Sequence, residues 1–480
     1  MQDSTNIGLV SCVRFVRRNV AKAVPEKIQL TEDELQAIIT QTAEDLRIND
    51  TGENSDSENE GASAAPAPVP TNPNDEFDFE NYDAETGKYY ILIYSVHIIF
   101  LFIYIIQLSQ NSKVNFTDDP DSDEEDDIIK PTDNLVLVGH VQGDASVLEV
   151  YVYNEQEGSL YVHHDTLLPS FPLCIEWLNR DPASDQPGNM CAIGSMDPII
   201  QVWDLDILDC LEPAYKLGRK KNKKKGIKSI GHKDAVLDLA WNANFDHILA
   251  SGSVDQTVLL WDIDQGEPHT KLSVFEEKVQ SIEWHPLESQ SLLSGCCDGK
   301  VRVSDCRSTD AHKAWSVSAE VEKVTWDRLK PFCFAASTID GNVSYFDCRQ
   351  EEALWTIKAH EGEVTGLSLS SQCPGLMVTL SNEGNMKTWD ISEAQPVLVS
   401  EKALAIGAAQ CLSVCPENPF VYAAGGDFKA KNFGVWDITQ MDVGEYIFLY
   451  ILILDNFSLT IQASGVFCRS KYFCFAIESK

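Results

Sequence analysis

Positive charge is what this chain has least of. Its 480 residues hold 37 Lys and Arg against 74 Asp and Glu, a formal net charge of −37. A surface of that sign repels a polyanion, so generic nucleic-acid binding through the whole surface is excluded. No two of the 14 cysteines stand at CxxC spacing, which removes zinc ribbons and thioredoxin-type motifs, and so few thiols in so long a chain make no disulfide scaffold. Buried reduced thiols are expected instead, with Cys296, Cys297, Cys411 and Cys415 among them. GxGxxG, GxxxxGKS/T and GxSxG are all absent, so nucleotide and acyl chemistry have no foothold. At the N-terminus, MQDSTNIGLVSCVRFVRRNV places its arginines after a short apolar stretch, the wrong order for a secretory signal. An intracellular chain is expected.

Tryptophan is missing before position 177 and after 436, and seven of the ten in that stretch mark two interleaved ladders. One consists of Trp-Asp-like pairs: Trp203-Asp204, Trp261-Asp262, Ser304-Asp305, Phe346-Asp347, Trp389-Asp390 and Trp436-Asp437, with steps of 43, 42, 43 and 47 from position 261 onward. The other runs Trp241, Trp284, Trp326 and Leu369, each 20 residues ahead of its partner. Two registers locked over four units identify a repeat protein. Each unit divides into four short strands, as in AVLDLAWN, ILASGS, VLLWD and PHTKLSVF, separated by polar turns. An acid precedes the Trp position by six residues in five units: Asp197, Asp255, Asp298, Asp340 and Glu383. Such a carboxylate can accept hydrogen bonds from its turn and from a histidine in the preceding loop, for which His232 and His360 are the candidates. These features make an all-β fold, a WD-repeat β-propeller of seven blades. Its first blade uses residues 134–165 and takes its inner strand from SCVRFVRR in segment 1–20, with Phe15 at the Trp position.

That arrangement makes 21–133 an insertion within the first blade and 134–440 the propeller body. Residues 26–133 carry 26 Asp and Glu against 5 Lys and Arg; the insertion is acidic and mostly disordered by composition. One short helix is expected in TEDELQAIITQTAEDLRI, where Thr31 and Glu34 make a capping box. Two apolar segments are anomalous, 89–108 and 446–462, both rich in Ile, Tyr, Phe and Leu. The first is long enough to span a membrane. Their shared codon bias reads instead as non-coding sequence carried into the chain, with 441–480 as a non-native tail that leaves the last blade without its closing strand. A span at 89–108 would also put Phe15 and residues 134–165 on opposite sides of a bilayer.

Nothing here composes an active site. His163-His164-Asp165 is the most tempting cluster, yet consecutive strand residues point to opposite faces, so the two imidazoles are not expected to share a metal. The turn acids lie on different blades and read as structural. No catalytic residue, cofactor, metal or small-molecule substrate is expected. The one basic block comprises Arg219, Lys220, Lys221, Lys223, Lys224 and Lys225; it suits a nuclear-import receptor, with weak RNA contact as a second use. The run DDPDSDEEDD at 118–127 favours basic partners such as ribosomal proteins or histones. Ser57 and Ser122 sit before acids as candidate phosphorylation sites.

YVHHDTLLPSFPLCIEWLN, SMDPIIQVWDLDILDCLEP, the lysine block and GHKDAVLDLAWN occur in that order, and together they resemble the periodic tryptophan protein 1 family of WD-repeat proteins. The likeness continues through VSDCRS, VEKVTWD, GLSLSSQ and VYAAGGDFKAKNFGVWDIT, reaches back to SCVRFVRRNVAK, and covers about residues 5–85 and 117–440. It implies a nuclear and nucleolar scaffold of ribosome biogenesis, tied to pre-ribosomal RNA processing, pre-ribosomal particles and, in some relatives, ribosomal-DNA chromatin. The two anomalous segments depart from the family pattern. The alternatives are a histone-binding chromatin regulator or chaperone, and a membrane-anchored trafficking adaptor resting on 89–108.

Overall fold

A computed structural model describes residues 8–27, 128–143, 145–184, 186–221, 226–308 and 311–440. All of them belong to one compact unit, comprising 1–31 and 126–480. The expected helix at 31–48, Ser57, the segment 89–108, Ser122 and the tail 441–480 lie outside the described residues.

The first blade joins β1 (Gly8–Phe15) to three strands that follow much later in the chain. A short β2 (Glu26–Lys27) stands apart from it; β3 (Asn134–Gln142), β4 (Ala145–Asn154) and β5 (Ser159–Leu168) complete the sheet in the order β1-β3-β4-β5. The second blade is β6 (Pro172–Leu178), β7 (Met190–Ser195), β8 (Ile200–Asp204) and, after β9 (Ile207–Leu208), β10 (Tyr215–Leu217). β11 (Val236–Trp241), β12 (Ile248–Ser253), β13 (Val258–Asp262) and β14 (Glu267–Leu272) form the third. The fourth is β15 (Val279–Trp284), β16 (Ser291–Cys296), β17 (Lys300–Asp305) and β18 (His312–Ser316). The fifth is β19 (Val321–Trp326), β20 (Cys333–Thr338), β21 (Asn342–Asp347) and β22 (Ala353–Lys358). The sixth is β23 (Gly366–Leu369), β24 (Leu376–Leu380), β25 (Asn385–Asp390) and β26 (Val397–Ala403). Among the described residues the seventh has three strands, β27 (Cys411–Val414), β28 (Val421–Gly425) and β29 (Phe433–Asp437).

Inner strands touch in the order β1, β6, β11, β15, β19, β23, β27 and back to β1, so the seven sheets close into a ring. Position in a blade explains composition. Second strands are covered on both faces and read as small or apolar runs, such as MCAIGS in β7 and CFAAST in β20, buried throughout. Outer strands alternate, as in EPHTKL of β14, because only one of their faces is covered. A glycine recurs in the second strand where the first residues of the next inner strand press against it. A Cβ on Gly194 would lie 2.9 Å from Val236 Cγ1, on Gly252 3.1 Å from Val279 Cγ1, and on Gly295 2.5 Å from Val321 Cγ1. The same contact closes the ring, between Gly425 of the seventh blade and Val10 of the first.

Closure thus rests on β1. Val10, Val13 and Phe15 share a core with Cys415, Val421 and Ala423. The Phe15 amide donates to Ser413 Oγ at 3.0 Å and the Val10 amide to the Gly426 carbonyl at 2.9 Å. Asn432 Nδ2 reaches His140 Nε2 at 2.9 Å, and Asn134 Nδ2 donates to Glu417 at 2.6 Å.

The described ends of the segment 21–133 are held against the propeller. Its first residues are built into the second blade: β2 pairs in parallel with β9, and the Lys22 amide donates to Asp206 Oδ1 at 3.0 Å. Its last residues return beside them, the Ile129 amide bonded to the Ala23 carbonyl at 2.9 Å and the Ile129 side chain buried in the core. Composition did not reveal these anchors, because the acids that surround them dominate it.

Candidate functional site

Antiparallel order sorts the loops by face. Connections from outer strand to next inner strand lie on one face, here the upper, together with the turns between second and third strands; the remaining turns lie on the lower face. The insertion leaves from the lower face, between β1 and β3, whereas the lysine block lies on the upper, between β10 and β11.

Six Trp-Asp-like pairs end third strands on the lower face. Their aspartates cap the turn that follows: Asp204, Asp347, Asp390 and Asp437 each accept the backbone amide two residues on, at 2.8–2.9 Å. Asp305 does the same for Arg307 at 3.1 Å, and Asp262 takes the Gln265 amide at 3.2 Å. The tryptophans divide. Trp261 and Trp389 donate to Ser251 Oγ at 2.8 Å and Thr379 Oγ1 at 3.0 Å. Buried Trp203 has no partner for Nε1, since Ile193 stands at the Ser251 position, and Trp436 packs under Lys431 at 5.5 Å.

The turn acids on the upper face do not all act alike. Among the described residues only the third blade has the complete relay: Trp261 to Ser251, Ser251 to His232 Nε2 at 2.7 Å, and His232 Nδ1 to Asp255 at 3.1 Å. Burial would raise the Asp255 carboxyl, but His232 and Thr257 hold it well below the usual range. In the sixth blade His360 Nε2 meets Thr379 at 2.8 Å, yet its Nδ1 has no partner and Glu383 does not reach it. This corrects the expected pairing; the extra methylene of glutamate misplaces the carboxylate. Burial, and then Lys387, push the His360 imidazole down to about 4. Glu383→Asp supplies an acceptor at the right length, and a gain of about 1 kcal/mol is expected in urea melts at pH 7.

The fourth blade replaces the relay altogether. Phe275 occupies the histidine position, 23 residues before the acid, and Arg302 reaches Asp298 from the third strand at 2.6 and 3.2 Å while lying over the Phe275 ring at 5.3 Å. Both side chains are almost fully buried. In the fifth blade Asp340 takes Thr338 Oγ1 and Asn342 Nδ2. In the second, Asp197 caps Ile199 at 3.0 Å and is ion-paired to Lys220 of the basic block.

That ion pair fixes the root of the block. Arg219 and Ile230 form a two-bond bridge at 2.8 and 3.0 Å. Beside it, Gly231 takes a left-handed φ of 105° against the Trp261 ring, where a Cβ would stand 2.8 Å from Cη2. Arg219, Lys220 and Lys221 are exposed; Lys223, Lys224 and Lys225 lie outside the described residues. Exposed Lys216, Lys228 and Lys233 extend the basic surface beyond the sequence block. Across the ring, the fourth to sixth blades present Glu276, Glu277, Glu320, Glu322, Glu361 and Glu363 on the same face. The upper face is therefore two-signed, which no single stretch of sequence displays.

The tempting histidine pair needs a correction. A bulge opposite Val150 and Tyr151 breaks the alternation in β5 and brings His163 Nδ1 to 2.9 Å from His164 Nδ1. Burial, and then His163, lower the His164 imidazole to about 4. Among the described residues no group of three or more His, Cys, Asp or Glu could hold a metal ion, and no helix is long and apolar enough to cross a membrane. Cys296 and Cys415 are buried, whereas Cys297 and Cys411 are only partly so.

Residues 224–262 match the model of the WD domain, G-beta repeat. The chain is 44% identical over 455 residues to the periodic tryptophan protein 1 homolog of Drosophila melanogaster, covering 90% of this chain and 95% of that one. It is 31% identical over 386 residues to periodic tryptophan protein 1 of Saccharomyces cerevisiae, covering 68% and 67%. Among solved structures, a chain in the crystal structure of a mitotic checkpoint complex aligns with a TM-score of 0.50 at 18% identity, covering 64% of this chain and 87% of that one, a likeness of fold alone. With the ladders, the seven-bladed ring and this near end-to-end identity together, the chain belongs to the periodic tryptophan protein 1 family.

Proposed function

We propose that this protein is a non-enzymatic nuclear and nucleolar scaffold that gathers basic proteins and pre-ribosomal particles during ribosome assembly. The observation that carries the reading is the near end-to-end likeness to a periodic tryptophan protein 1 homolog. The physical arrangement agrees with it. Asp255, His232, Ser251 and Asp298 are engaged in holding turns and strands, which favours the charged loops as the working surface. Basic proteins are steered toward the acidic surfaces, and the lysine block serves import, with weak RNA contact as a secondary role.

Replacing Lys220, Lys221, Lys223, Lys224 and Lys225 with glutamine in a tagged full-length chain is expected to shift it out of the nucleus. Unchanged nucleolar accumulation removes the import role. Crosslinking with mass spectrometry then tests the scaffold: ribosomal proteins and precursors support it, whereas a set dominated by histones replaces it with a chromatin role.

A further inference from the structure

We propose that the lower rim of the third to fifth blades is a docking surface for an acidic peptide segment of a partner protein, anchored by large apolar side chains.

The turns of this rim begin at the residue after a ladder tryptophan, and the side chain of that residue caps the turn. Asn242 Oδ1 accepts the Asn244 and Phe245 amides at 3.0 and 3.1 Å. His285 Nδ1 accepts those of Leu287 and Glu288 at 3.1 and 2.8 Å, and Asp327 Oδ1 those of Leu329 and Lys330 at 2.9 and 3.1 Å. All three capping residues are buried, whereas Phe245, Leu287 and Leu329, three or four places past the tryptophan, are exposed, as is Phe332. Single exposed leucines are ordinary. Apolar tips in the same turn of three consecutive blades, with Leu287 70% exposed, make a patch.

The turns are also tied to one another. Asn242 Nδ2 donates to the Ser289 carbonyl at 2.7 Å, from the third blade to the fourth, and His285 Nε2 to the Pro331 carbonyl at 2.7 Å, from the fourth to the fifth. Within the blades, the Cys306 amide donates to the Gln290 carbonyl at 2.9 Å and the Cys348 amide to the Phe332 carbonyl at 2.8 Å. These bonds set the turns of Arg307 and Arg349 beside the apolar tips. A rim held this way loses little freedom when a partner binds.

Charge selects the partner. In each arginine pair of this rim the guanidinium is the outward member: Arg307 is 70% exposed against 35% for Asp305, Arg328 56% against 26% for Glu283, and Arg349 63% against 7% for Asp347. Lys330 is exposed beside them. Arg349 lies over the Phe332 ring at 4.5 Å, so cation and apolar tip are presented together. The exposed acids of the same turns are Glu288, which already accepts Ser291 Oγ at 3.0 Å, and Glu351 and Glu352; in the third blade Asp246 and Asp264 pair with Arg180. Guanidinium forks beside leucine and phenylalanine fit carboxylates interspersed with large apolar side chains. A basic chain is repelled here, and a nucleic-acid backbone leaves the apolar tips uncovered. The rim lies on the face opposite the lysine block, so it is a separate surface from the upper-face acids.

Random peptides displayed on phage and selected on the full-length chain test this. The selected sequences are expected to combine Asp or Glu with Leu or Phe. A labelled synthetic copy should bind about tenfold more weakly to the pair Leu287→Ser with Leu329→Ser, and to the pair Arg307→Ala with Lys330→Ala. Thermal melts of both should match the parent, because all four side chains are exposed; if one pair does not fold, the other still decides. Lys220→Gln with Lys221→Gln on the upper face should leave binding unchanged. Selected peptides that are basic or lack acids, no selected peptide, or binding that falls with the upper-face pair and not with the rim pairs overturns the proposal. So does a homopolymeric RNA that displaces the peptide, or a concentration-dependent dimer of the chain that the two leucine changes abolish.

Discussion

Asp298→Ala is expected to cost the propeller about 3–5 kcal/mol, far more than Asp305→Ala on the lower face of the same blade. The two aspartates differ in setting. Asp305 pairs with Arg307, whose side chain is 70% exposed, and solvent screens such a pair. Asp298 faces Arg302, whose side chain is 3% exposed and whose Nε already lacks a partner. Removing the carboxylate strands a buried guanidinium between Phe275 and the sheet. The double change Asp298→Leu with Arg302→Met removes both charges and should return to within about 1–2 kcal/mol of the parent, since a buried pair often contributes little beyond an apolar replacement. Urea or thermal melts of the four proteins settle the matter. A single variant no worse than Asp305→Ala would show that Arg302 is not held by this pair.

Gly425→Ala should loosen ring closure, with a loss of about 1–3 kcal/mol and faster cleavage within 8–27 under limited proteolysis. The added methyl would overlap Val10 Cγ1 and stand 2.7 Å from Val10 Cβ and 3.0 Å from Cys411 Sγ. Val10 cannot withdraw, being 1% exposed and bonded through its amide to Gly426. Gly252→Ala meets the next blade at 3.1 Å and should cost less. Val10→Ala combined with Gly425→Ala recovers part of the loss if the clash is the cause. Equal effects at 252 and 425, or no rescue, would place the strain elsewhere.

The sixth blade shows where pattern and geometry part. By offset alone His360 and Glu383 match His232 and Asp255, each pair 23 apart, yet only the second pair bonds. The offset reports a turn of constant length and is blind to one methylene. Arg302 was readable in principle, four residues after Asp298 with Phe275 in the histidine position, but a basic residue in a strand carries no sign of which way it points. The histidine pair in β5 failed for a related reason: alternation presumes an unbroken ladder, and a bulge is set by the partner strand.

Seven blades, their strand order and the WD-repeat class were present in the sequence itself, because every blade but the first is folded by contacts within one short stretch of chain and that local unit is repeated. The tertiary structure decided everything made between repeats. It set the closure of the ring by Val10 on Gly425, the anchoring of both ends of the insertion on the second blade, and the opposite charges of the two halves of the upper face. Periodicity encodes which backbone groups pair with near neighbours. Which side chains face each other across a seam depends on bulges, side-chain lengths and the angle between sheets, and these exist only once the ring has closed.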